Sequence, residues 1–165
     1  MSELAVIIGS DSDHEIIRPC LEQLEELGIK FELRVLSAHR TPDQLKKYVK
    51  ASEKKGVKLF IAGAGLAAHL PGVIASYTVL PVIGVPLSGL AGGLDALLSM
   101  VQMPGGIPVA TMAVGKAGAK NAALFAAEVL AANDKKLKAK LNNYRAGMRR
   151  EIARKEKKLH KLLEK

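Results

Sequence analysis

The chain has no tryptophan, and only three phenylalanines and three tyrosines among 165 residues. A core so poor in large rings must be filled by Ala, Val, Leu, Ile and Gly, which suits close packing of helices on a sheet. The single cysteine, Cys20, has no internal partner, so a disulfide framework is excluded and a reducing, cytoplasmic setting is expected. The opening MSELAVIIGS has neither a basic n-region nor a long apolar h-region, so no signal peptide is expected. No apolar run approaches the roughly 18–20 residues of a membrane span, and no membrane partner is expected. Cys and His never fall at zinc spacing, so no metal is expected. Gly115-Lys116 lacks the upstream glycine and following hydroxyl of a phosphate-binding P-loop. Ser10, Ser12, Ser37 and Ser88 lack the G-x-S-x-G elbow of serine hydrolases.

The net charge of +9 points to nucleic acid only until it is located. Residues 133–165 hold 13 Lys and Arg against 4 Asp and Glu, whereas residues 1–132 hold 12 of each sign. The excess therefore lies wholly on a C-terminal tail, and the balanced body gives no reason to expect a nucleic-acid ligand.

Residues 4–9 (LAVIIG) form a continuous apolar run, the pattern of a strand buried on both faces. Further strands are expected at 29–36, 58–62, 81–85 and 108–114, with helices between them. Pro42 stands early in the second helix, Pro71 early in the third, and an Ala-rich helix covers 116–131. Strand and helix alternating five times argue for a parallel five-stranded sheet with right-handed crossovers, an α/β fold. One catalytic domain over 1–132 is expected. Residues 133–165 place Leu137, Leu141, Tyr144, Met148, Ile152, Leu159 and Leu162 at helical spacing among Lys and Arg. That is a long amphipathic basic helix suited to packing on a neighbouring subunit.

In open α/β sheets ligands gather at the carboxyl ends of the strands. The loops there are GSDSD (9–13), SAHRTP (37–42), AGAGLAAHLPG (62–72) and GVPLSGLAGG (84–93), with the region after strand five. In the first, Ser10 and Asp13 suit ribose hydroxyls, and equally suit plain helix capping. In the second, Arg40 with Ser37 makes a clamp for phosphate or carboxylate. His39 beside them is the side chain best able to take and return a proton near neutral pH. Alternatively, Thr41-Pro42 merely starts a helix and His39 is a solvated loop residue. Residues 63–68 fit G-x-G-x-x-A, but no acidic residue follows at the distance a dinucleotide needs, so NAD is not expected. His69 is either a second polar contact or a first-turn residue ahead of Pro71.

In this order, GSDSD, SAHRTP, AGAGLAAHLPG, PVIGVP (81–86), GGLDALLSMVQMPGGIPVAT (92–111) and GKAGAKNAA (115–123) resemble the catalytic subunits of phosphoribosylaminoimidazole carboxylase. Within that family they look like the N5-carboxyaminoimidazole ribonucleotide mutases of purine biosynthesis. The resemblance implies a flavodoxin-like three-layer αβα sandwich and a homo-octamer whose active sites use loops of adjacent subunits. It also implies a small-molecule nucleotide substrate and no metal or organic cofactor. Carried over by position, Ser10, Asp13 and Arg40 bind the nucleotide, Asp13 through ribose hydroxyls, with Ser37 and Arg40 near the phosphate. His39 matches the catalytic histidine. Gly65, Ala67, His69 and Leu70 match the loop that closes over the imidazole and the migrating carboxylate. AAHLPG favours the mutases over relatives that carboxylate aminoimidazole ribonucleotide directly from carbon dioxide, the alternative reading. A non-catalytic nucleotide-binding module with a nucleic-acid-binding tail is the remote one. Functional coupling to an ATP-dependent synthetase of the carbamate is left open. Two departures fall in site loops: Leu66 stands where bacterial mutases usually have glycine, and LSGLAGGL (87–94) is one residue shorter than usual.

Overall fold

The computed structural model describes residues 2–163; the outermost residues of the expected body and tail, 1, 164 and 165, lie outside that range. Its backbone contacts divide the chain into two compact units, Met1–Ala126 and Ala127–Lys165.

Five strands form one sheet: β1 (Leu4–Ile8), β2 (Phe31–Val35), β3 (Leu59–Ala64), β4 (Val82–Pro86) and β5 (Ala110–Thr111). All pair in parallel, in the order β2-β1-β3-β4-β5. This is the flavodoxin-like order, in which the chain reverses its direction of travel between β1 and β3. With right-handed crossovers that reversal sends helices to both faces of the sheet. The helices are α1 (His14–Leu27), α2 (Pro42–Lys54), α3 (Leu70–Tyr77), α4 (Leu94–Val101), α5 (Gly115–Ala131) and α6 (Lys135–Leu163).

Every residue of β1, β3 and β4 is buried, as their unbroken apolar runs require. Alternate side chains go to opposite faces. Ala5 and Ile7 of β1, with Phe60 and Ala62 of β3, pack in one cluster with Leu45 and Val49 of α2, Ile74 of α3 and Met100 of α4. Strand β2 lies within the expected 29–36, at an edge, and is half-exposed or exposed throughout. One element departs from expectation. Strand β5, expected over 108–114, shrinks to two residues: Pro108 has no N–H to give a ladder, and only one neighbour is available at that edge.

Within the second unit, Asp134 caps α6, its Oδ1 accepting the N–H groups of Lys136 (2.8 Å) and Leu137 (3.1 Å). These bonds, that from Leu137 foremost, hold its carboxyl below the usual carboxylate range. Leu137 and Leu141 are buried, while Met148, Ile152, Leu159 and Leu162 continue the same helix exposed. Among the described residues no helix is long and apolar enough to cross a membrane.

Candidate active site

The ends of β1 to β4 open into a single cleft of about 650 Å³. Its floor and walls include all nine residues singled out from the sequence: Ser10, Asp13, Ser37, His39, Arg40, Gly65, Ala67, His69 and Leu70. Strand register explains the convergence. Ile8 pairs with Val35 and with Gly63, so the loops leaving β1, β2 and β3 start at the same height on adjacent strands.

After β1, Ser10 adopts extended backbone and caps a short 3-10 turn, Asp11–Asp13, leading into α1. Its Oγ accepts the N–H of Ser12 (3.4 Å), and Asp13 Oδ2 accepts the N–H of Ser10 (3.0 Å). The capping reading of this segment is therefore realised. Burial raises the Asp13 carboxyl above its ordinary value, against the opposing backbone hydrogen bonds from Ser10 and Gly9. Half-buried and facing the cleft, that carboxylate keeps acceptor capacity for a ligand hydroxyl.

After β2, the SAHRT segment folds on itself. Ser37 Oγ accepts the N–H groups of His39 (3.3 Å) and Arg40 (3.1 Å). Thr41 Oγ1 accepts the N–H of Ser37 (2.9 Å) and donates to its carbonyl (3.1 Å). Two hydroxyls thus fix the turn on which His39 and Arg40 stand exposed. Arg40 reaches across to the loop after β1, its Nη2 donating to the Gly9 carbonyl (3.0 Å). This leaves most of the guanidinium's five donors for an anion. Thr41, read from sequence only as a helix opener, proves to be the residue that clamps the turn.

After β3, the AGAGLAAH loop brings His69 to His39. His39 Nε2 and His69 Nδ1 are 2.8 Å apart, with ring centroids 5.0 Å apart and planes at 87°. A hydrogen bond at that distance places one proton between two imidazoles drawn from different strand ends. Leu70 lines the cleft, but its side chain is only 3% exposed and belongs to the core. It anchors the start of α3 behind the loop. The whole loop lies against the segment after β4. The Leu87 N–H donates to the Ala64 carbonyl (2.9 Å), and a β-carbon on Gly65 would lie 2.3 Å from the Ser88 carbonyl oxygen. Ser88, Gly89 and Leu90 complete the rim. Sequence reasoning named their loop by the strand-end rule but chose no residue in it, because none carries obvious chemistry.

A family model described as AIR carboxylase matches residues 3–151. The chain belongs to the AIR carboxylase family. Among its relatives, the N5-carboxyaminoimidazole ribonucleotide mutase of Saccharolobus solfataricus is 52% identical over 153 residues, which span 92% of this chain and 96% of that protein. The protein of the same name in Pyrococcus horikoshii is 49% identical over 160 residues, 96% of this chain and 89% of the relative. That of Escherichia coli K12 is 48% identical over 152 residues, 92% and 90%. In three dimensions the crystal structure of Treponema denticola PurE matches with a TM-score of 0.84 at 27% identity, over 94% of this chain and 97% of that one. The family match thus runs through all the loops that form the cleft. Among the described residues no group of three or more His, Cys, Asp or Glu stands together as a metal site.

Proposed function

We propose that the protein is an N5-carboxyaminoimidazole ribonucleotide mutase of purine biosynthesis, moving the carboxyl group from N5 to C4 of the aminoimidazole. The hydrogen-bonded His39–His69 pair, standing beside Arg40 and Asp13 in one cleft, carries this reading. The reaction needs a nucleotide clamp and a group that exchanges protons without changing the net charge of the products. Arg40 and Ser37 suit the phosphate, and Ser10 and Asp13 the rest of the nucleotide, Asp13 through the ribose hydroxyls. The carbamate N–C bond breaks to give carbon dioxide, and the nitrogen takes up a proton. Carbon C4 then attacks the carbon dioxide, forming the new C–C bond, and gives up its own proton to His39. One proton enters and one leaves, so a single imidazole serves as acid and base. Holding carbon dioxide beside C4 replaces a dilute encounter with an oriented pair. The Gly65–Leu70 loop closes over the reacting atoms.

The assembly belongs to the same proposal. Residues 1–132 act as the catalytic body, and the 133–165 helix packs on neighbouring subunits of a homo-octamer. The exposed apolar stripe of Met148, Ile152, Leu159 and Leu162 supports that role. A cytoplasmic location is supported by the single cysteine, Cys20, which has no internal partner for a disulfide and stays a free buried thiol. An ATP-dependent synthetase making the carbamate is the functional partner this chemistry calls for.

The test is turnover on two substrates side by side: N5-carboxyaminoimidazole ribonucleotide, and aminoimidazole ribonucleotide with physiological bicarbonate. Fast C4-carboxylated product from the first alone is the expected result, and equally fast product from the second would assign direct carboxylation instead. His39→Asn is expected to keep nucleotide binding and lose roughly 10²–10⁴ in turnover. Undiminished turnover would remove His39 from the mechanism.

A further inference from the structure

From Met148 to Leu163 every side chain of α6 is exposed, so this stretch finds no packing partner among the described residues. Isolated helices of such a length are marginal in water. The family match ends at residue 151, ahead of most of the stretch. Met148, Ile152, Lys155, Leu159 and Leu162 recur at alternating steps of four and three, the pattern of a coiled-coil seam. Lys155 is its one polar member. Its Nζ folds back to Glu151 (2.7 Å), so the charge is met on its own helix and the methylene stem is left for the seam.

The flanking charges choose the partner and its direction. Arg149 and Glu156 border the stripe on one side, Glu151 and Lys158 on the other. Two copies running parallel would set Glu151 against Glu156 of the partner subunit on both flanks. Running antiparallel, Met148 stands opposite the partner subunit's Leu159, and Ile152 opposite the partner subunit's Lys155. Arg149 then faces Glu156 of the partner subunit and Glu151 faces Lys158 of the partner subunit, each pair made twice by symmetry. Arg150, Arg154, Lys157 and Lys161 remain on the outer face, in water. An anionic partner on the stripe would meet Glu151 and Glu156 as like charges; a second copy of this chain does not.

We propose that Met148–Leu163 pairs antiparallel with the same segment of a second copy of this chain, about a two-fold axis between Ala153 and Arg154. The pairing deepens the assembly part of the proposed function and rests on it, but is independent of the reaction. A seam this short is weak alone. Chains already joined through their bodies present it at an effective concentration on the order of millimolar.

The test uses the full-length protein under mild oxidation, read on a non-reducing denaturing gel. Cys20 is fully buried and takes no part. Met148→Cys/Leu159→Cys is expected to give a covalent dimer, because the two thiols face each other across the seam. Neither single variant is expected to do so, since like positions then stand about 16 Å apart along the helix axes, too far for a disulfide. Glu151→Lys and Lys158→Glu, each added to the double-cysteine protein, slow dimer formation by roughly three- to tenfold, and the two together restore it. Lys158→Glu discriminates, because within its own helix it gains Arg154 and Lys161 as partners, so a merely helical effect would speed the reaction. Cross-linking by either single-cysteine variant would make the pair parallel and overturn the proposal. No dimer from the double variant would overturn it too and give the tail to another partner. Light scattering on the unoxidised protein separates the two readings: an oligomer that does not cross-link sinks the pairing alone, and a monomer sinks the assembly reading with it.

Discussion

Gly9 and Gly65 both follow a buried strand and both open a site loop, so a motif gives them the same justification. The geometry separates them. A β-carbon added at Gly65 would lie 2.3 Å from the Ser88 carbonyl oxygen, whereas at Gly9 the nearest atom is Asp13 Oδ2 at 3.8 Å. Carbon and oxygen in close contact stand about 3.3–3.6 Å apart, so Gly65→Ala must drive the two loops apart by roughly 1 Å. Neither side yields cheaply, because both are backbone and the Leu87 N–H to Ala64 carbonyl bond (2.9 Å) ties them. Overpacking of this kind costs about 1–3 kcal/mol. For a chain of this size, Tm is expected to fall by roughly 2–4 °C per kcal/mol. The displaced loop carries His69, and a misplacement of about 1 Å costs on the order of a hundredfold in rate. Thermal melting and kcat of Gly65→Ala, with melting of Gly9→Ala beside it, test the reasoning. Gly9→Ala is expected to keep its Tm within about 0.5 kcal/mol equivalent of the wild type. Equal stability loss in the two variants, or full turnover in Gly65→Ala, would refute the close-approach argument.

Asp13→Asn is expected to separate stability from binding. Burial raises the folded-state pKa above the ordinary 3.8, so the folded protein favours the neutral form and the unfolded chain ionises first as pH rises. Stability therefore falls from below pH 3.8 up to the raised pKa and is level above it. The asparagine variant should lack that decline and melt no lower at neutral pH. A ligand hydroxyl bound to the charged acceptor is worth about 1.5–3 kcal/mol, so its Kd should rise roughly ten- to over a hundredfold. Isothermal titration and melting against pH check both halves, and unchanged affinity would remove Asp13 from the nucleotide site. For the imidazole pair, His69→Leu should cost roughly two- to tenfold in kcat, the worth of one hydrogen bond, with His69→Asn losing less because an amide occupies the Nδ1 position. In the His39→Asn background His69→Leu should add no further loss. Additive losses would show that the two rings act independently.

Strands β1, β3 and β4 were legible because unbroken apolar runs such as LAVII and PVIGV leave no solvent face. The same reading overstated β5, since edge position depends on strand order and local composition does not encode it. The strand-end rule located the cleft, and chemistry-bearing types within it, His39, Arg40 and Asp13, marked themselves. The partnership of His39 with His69 was not readable, because thirty residues and a crossover separate them. Thr41 was legible only as a helix opener, and Pro42 beside it concealed its part in clamping the turn. Leu66 drew attention only by departing from its family; nothing in a leucine announces the left-handed backbone it adopts (φ 55°).

The lacing of the cleft also has a meaning in time. Arg40 bonds to Gly9 across 31 positions, His39 to His69 across 30, and Gly65 meets Ser88 only when β3 and β4 lie side by side. The first needs only β1 and β2 paired, but the second needs β3 as well and the third needs β4, and parallel pairing is slow because long loops close before any contact repays them. The site is therefore a late milestone of folding, absent until four strands have docked. A nucleotide added during refolding does not hasten the early steps. It draws the completed chains out of the equilibrium by mass action, so its binding signal serves as a clock for the last event in assembly.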